Sequence, residues 1–165
     1  MSRLTFKKAV QETQFLQHAY QAGLQALGKY SQFVRWKNSK RWKNSKNPKA
    51  RSFTGSINLD QALARQYPEA PRWDYGIGII RSKQDEEAIW IEVHSASSTH
   101  VKEVLTKLSW LQEWLRCSAP ELEQLTRGGF YWLASGPVHI TPGSRQAKLL
   151  ATAGLRGPQR IIEIE

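Results

Sequence analysis

The chain has 165 residues, 40% of them hydrophobic and 23% charged, which is one domain's length and a globular composition rather than a disordered or fibrous one. Its 24 Lys and Arg against 14 Asp and Glu leave a formal net charge of +10, a balance that draws a protein to polyanions, nucleic acid first among them. No run approaches the ~18 apolar residues of a membrane span, the N-terminus lacks a signal peptide's apolar stretch, and the lone Cys117 excludes an intrachain disulfide. These features predict a cytoplasmic protein with no membrane partner.

In chain order, Phe6, Ala9, Thr13, Leu16, Tyr20, Gly23, Leu24 and Leu27 recur at three- and four-residue spacing, which predicts a helix over 6–28 stopped by Gly28. Residues 35–46 are a perfect tandem repeat of Arg-Trp-Lys-Asn-Ser-Lys. A six-residue unit is too short for a solenoid, so the segment reads as a duplicated, flexible basic loop over 35–51 holding eight cations and no acid. Its Arg35, Lys37, Lys40, Arg41, Lys43 and Lys46 suit phosphates, and Trp36 and Trp42 suit stacking on unpaired bases. The loop is therefore the predicted nucleic-acid contact, for DNA or RNA.

A short helix follows over 61–67, with Asp60 as its cap and prolines at 68 and 71 ending it. Residues 73–80 and 88–94 read as two strands joined by the turn 84–87, an antiparallel hairpin. In the second strand Ile89, Ile91 and Val93 point one way, and Trp90, Glu92 and His94 the other. Gly76-x-Gly78 lies within a strand and lacks the rest of a dinucleotide fingerprint. Val101, Val104, Leu105, Leu108, Leu111 and Leu115 form the buried stripe of a long helix over 99–116, with Trp110 and Trp114 on its flank. A helical turn over 120–126 broken at Gly128-Gly129, strands over 130–134 and 138–140, a helix from Ser144 to about Ala153 and a last strand over 160–164 complete the reading. The fold class is α/β (α+β): a single domain over 1–165, with a mixed sheet of about four to five strands flanked by helices.

The chemistry concentrates at the hairpin. Glu92 and His94 share a strand face, and Asp74 reaches the same point if the register sets it opposite. Two carboxylates and an imidazole there make a predicted metal set of Asp74, Glu92 and His94, suited to Mg²⁺ or Mn²⁺. A metal-independent RNase using His94 and His139 as base and acid is a competing expectation.

A helix, an Asp on a strand, an acid-x-basic element on the next strand and then a long helix resemble the core of the PD-(D/E)XK nuclease superfamily, over roughly residues 6–135. The resemblance implies a restriction-endonuclease-like core and metal-dependent hydrolysis of phosphodiester bonds. Asp74 matches the family's metal-binding Asp and Glu92 the acid of its second element. His94 stands where the family has Lys, and Lys102, on the following helix, is the predicted stand-in. Glu12 lies where some members carry another acid. The predicted catalytic set is thus Asp74, Glu92, His94 and Lys102. The His at the Lys position equally suits a catalytically inactive relative that binds nucleic acid or a protein partner, and a homodimer remains open.

Overall fold

The computed structural model of the protein describes residues 3–38, 51–81 and 85–165. Its centre is a five-stranded mixed sheet in the order β2 (Ser52–Asn58), β3 (Tyr75–Ile80), β4 (Glu87–Ser97), β5 (Thr126–His139) and β6 (Leu155–Gln159). β2, β3 and β4 form an antiparallel meander, whereas β4–β5 and β5–β6 are parallel. Each parallel pair is joined through helices: α3 (Val101–Ser118) and α4 (Pro120–Leu125) between β4 and β5, and α5 (Arg145–Thr152) between β5 and β6. A parallel neighbour needs such a crossover, since a tight turn only returns the chain antiparallel. This is the mixed α/β architecture that the alternation of strand and helix patterns predicts.

Both faces of the sheet are covered, which is why its central strands are almost wholly apolar. On one face Trp90, Trp132, Phe130 and Ala88 pack against α1 (Phe6–Glu12), α3 and α4 through Phe6, Val10, Val104, Leu108, Leu111 and Leu122. On the other, Ile77, Ile79, Ile89, Ile91, Tyr131 and Leu133 pack against Leu27 and against a small parallel sheet of β1 (Val34–Trp36) and β7 (Ile162–Ile164). The alternation predicted for β4 holds: Ile89 and Ile91 lie in the second core and Trp90 in the first. The two strand glycines are packing features. A Cβ on Gly76 would meet the Trp90 ring at 2.6 Å, and one on Gly78 would meet Phe6 at 2.5 Å, so both let large side chains lie flat on the backbone.

Five elements differ from the sequence reading. The short helix expected over 61–67 is α2 (Leu59–Leu63), and its cap is Asn58, whose Oδ1 accepts from the Gln61 N–H at 3.0 Å, rather than Asp60. The first helix ends at Glu12, where Thr13 turns extended and donates its hydroxyl to the Ala9 carbonyl at 2.7 Å. Beyond it Phe15, Gly23 and Gly28 take positive φ, and the rest of the expected helix is irregular chain and a 3₁₀ segment over Gln25–Phe33. β2 lies where no strand was expected, because its Ser, Thr, Gly and Asn residues carry little strand signal. The strands expected at 130–134 and 138–140 are one strand, β5, which also absorbs Gly128 and Gly129. Its N-terminal end takes over the close of the helical turn expected at 120–126, since α4 ends at Leu125. Finally β6 precedes the predicted last strand, which contracts to β7.

The tandem repeat also departs from expectation at its start. Arg35 and Trp36 belong to β1, paired with Glu163 and Ile164 of β7, so this part of the segment is strand rather than loop. Residues 39–50, including Lys40, Arg41, Trp42, Lys43 and Lys46, lie outside the described residues, as does Gln84 of the predicted turn. No helix among the described residues is long and apolar enough to cross a membrane.

Candidate functional site

The β3–β4 register sets the site. Tyr75 pairs with Ile91, so Asp74, one residue earlier, falls beside Glu92, and the Val93 N–H donates to Asp74 Oδ2 at 2.9 Å. Glu92 points to the helix-covered face and is fully buried. Burial of a lone carboxylate is strongly unfavourable, and α3 supplies the counter-charge: Lys107 Nζ donates to Glu92 Oε2 at 2.5 Å. His94 Nδ1 lies 3.4 Å from the same oxygen. Glu92 Oε1, by contrast, is buried with no hydrogen-bond partner among the described residues.

The electrostatics follow from this crowding. Burial, then the neighbouring charge of Glu92, raise the Asp74 pKa to about 7, with Lys107 and the Val93 N–H opposing. Burial alone would make Lys107 easier to deprotonate, but the charge and hydrogen bond of Glu92, with Asp74 behind it, outweigh that and hold its pKa above the ordinary value. Lys107 is therefore a fixed cation. The hydrogen bond to Glu92 raises the His94 pKa; burial partly offsets it, and Glu103 adds to it.

The other ring nitrogen of His94 meets a second set of groups. Nε2 lies 3.2 Å from His100 Nδ1 and 3.3 Å from Glu103 Oε2, and the Trp132 indole N–H donates to the His94 carbonyl at 3.1 Å. Two groups thus meet at Glu92: Asp74 with Lys107 on one side, and His94 with His100 and Glu103 on the other.

Of the predicted residues, Asp74, Glu92 and His94 come together. Lys102 does not reach the acids. It is exposed, makes no ion pair among the described residues, and lines a surface hollow of about 470 Å³ with Pro71, Thr99, Glu103, Thr106 and Lys107. Lys107 takes the place beside the acids that Lys102 was expected to fill. The missed signal is helical: His100, Glu103 and Lys107 recur at three- and four-residue spacing, beside the leucine stripe. Glu12 is exposed at the end of α1. His139 is exposed and pairs in register with Ser97, so the histidine beside His94 is His100.

Arg35, Trp36 and Lys37 stand elsewhere. Trp36 packs with the core on the opposite face of the sheet, stacked on Phe53 at 5.2 Å between ring centroids, with the Arg51 guanidinium 5.2 Å from its own. Arg35 and Lys37 are paired with Glu163 and Glu165.

The donors at the acid pair suit a hard divalent cation: a half-buried carboxylate that holds its proton until about pH 7, beside a buried one with an unpartnered oxygen. Comparison with protein-family models, with curated proteins and with solved structures finds no match to this chain.

Proposed function

We propose that the protein binds nucleic acid and hydrolyses phosphodiester bonds with the help of Mg²⁺ or Mn²⁺, as a divergent relative of the PD-(D/E)XK nucleases. The observation that carries this reading is the meeting of Asp74, Glu92 and Lys107 at one point on adjacent strands and the covering helix. In the superfamily pattern an acid, a second acid and a lysine occupy such a site, and here the lysine comes from α3 instead of the strand position held by His94. Asp74 and Glu92 hold the cation, which when bound supplies an activated water and neutralises charge on the phosphate.

The chain's own groups have separable tasks. Lys107, held charged by Glu92, offers its ammonium to a phosphate oxygen on which charge grows, an electrostatic rather than a proton-transfer role. Lys102 and Lys107 together line the adjoining hollow, where the flanking backbone phosphates are held as point charges. Glu92 Oε2, 3.4 Å from His94 Nδ1, fixes the ring beside the site. The net charge of +10 supports the choice of a polyanionic substrate.

Labelled single-stranded DNA, duplex DNA and RNA incubated with the protein in Mg²⁺, Mn²⁺ and EDTA test the reading. The expected result is cleavage of at least one substrate with metal and none in chelator. Salt-sensitive binding without cleavage under any metal would instead establish an inactive module that retains a nuclease-like site.

A further inference from the structure

We propose that His94 Nε2, His100 Nδ1 and Glu103 Oε2 form a second cation site, selective for a borderline transition ion of the Zn²⁺ class and separate from the oxygen pair of Asp74 and Glu92. The inference does not rest on the phosphodiesterase reading: its three ligand atoms are distinct from the Asp74 and Glu92 oxygens, and Glu92 enters only as the carboxylate behind His94.

The geometry is the first support. The three donor atoms stand 3.2, 3.3 and 3.5 Å apart. Ligands about 2.0–2.1 Å from a tetrahedral ion stand about 3.3–3.4 Å from one another, so the donors already span one face of a zinc-sized tetrahedron. Two nitrogens and one oxygen suit Zn²⁺, Co²⁺ or Ni²⁺, whereas Mg²⁺ prefers oxygen alone.

The second support lies behind the ligands. Metal-bound histidines commonly donate their other ring N–H to a carboxylate, which sets the tautomer and the ring angle. Glu92 stands in that place, 3.4 Å from His94 Nδ1, and is itself locked by Lys107. With the proton on Nδ1, the Nε2 lone pair of His94 points at His100 Nδ1, and two imidazole nitrogens 3.2 Å apart need a proton or a cation between them. The backbone seats each donor separately. His94 is on β4, His100 ends the 3₁₀ turn Ser98–His100 that leads into α3, and Glu103 lies on the first turn of α3. Side-chain exposure rises from 16% at His94 through 36% at His100 to 57% at Glu103. The fourth coordination position therefore opens to solvent, the arrangement of a zinc site that exchanges a water or an external ligand.

Titration of the metal-free full chain with Co²⁺, read by calorimetry and by visible d–d absorption, tests the site. With excess Mg²⁺ present throughout to fill the oxygen pair, one equivalent with a tetrahedral spectrum is expected. His100→Ala, a change at a partly exposed residue, should weaken Co²⁺ binding by more than about tenfold, since even outer-shell losses cost about 10–100-fold. Asp74→Asn should bind Co²⁺ as wild type does, whatever its effect on phosphodiester cleavage. Absence of Co²⁺ binding, or binding that survives His100→Ala, would overturn the proposal. Loss in Asp74→Asn with retention in His100→Ala would also overturn it, by assigning the ion to the carboxylate pair.

Discussion

Asp74→Asn is expected to make the metal-free protein more stable at pH 8, by about 1–3 kcal/mol. Asp74 titrates near pH 7 in the folded chain and near ~3.9 in an unfolded one. The folded state therefore binds this proton more tightly. Stability from it is complete below about pH 4 and is lost as pH rises through about 7, after which the loss is constant. The variant removes the charge that burial and Glu92 disfavour, while the amide oxygen still accepts from the Val93 N–H. The full shift corresponds to about 4 kcal/mol, reduced because Asp74 is only half-buried and because Lys107 loses an attraction. Urea unfolding at pH 4 and pH 8 checks the sign. Wild type and variant should converge at the lower pH and separate at the higher one; a constant difference would refute the electrostatic account. A residue whose replacement stabilises the fold is the kind retained for chemistry rather than packing.

Lys107→Met should act in the opposite direction, costing about 3–5 kcal/mol at neutral pH. The methionine fills the same space, so the loss is electrostatic: it leaves the fully buried Glu92 without the cation that neutralises it. His94, 3.4 Å from Glu92 Oε2, compensates in part and sets the expectation at the lower end of that range. Adding Glu92→Gln should recover most of the loss, because two neutral partners leave no buried charge, and the double-mutant cycle isolates the pair. A loss below about 1 kcal/mol for Lys107→Met would mean that water reaches Glu92 and screens it.

The acid pair was legible in the sequence because it depends on short-range rules. Alternation puts Glu92 and His94 on one strand face, and a hairpin brings Asp74 beside them. Lys107 was not, because its role depends on which face of α3 docks on the sheet. Its partner Glu92 lies 15 residues earlier on another element. Lys102, nearer in sequence, points outward. The same reasoning explains the repeat. Two identical hexapeptides invite one local reading, yet Arg35 and Trp36 pair with β7, and Lys37 meets Glu165 across 128 residues. Such pairing leaves no periodic trace in the segment itself. β2 escaped notice for a related reason: it gains strand structure from β3, its antiparallel neighbour, rather than from its own polar residues.

The most direct test of the central claim, that Asp74 and Glu92 form the reaction centre, is single-turnover cleavage of a labelled oligonucleotide in Mn²⁺. Wild type and Asp74→Asn are compared at equal folded protein. The account predicts a rate lower by at least about 10³-fold in the variant, the scale expected when a group essential to transition-state charge is removed, together with the gain in stability argued above. Equal rates in the two proteins would contradict it.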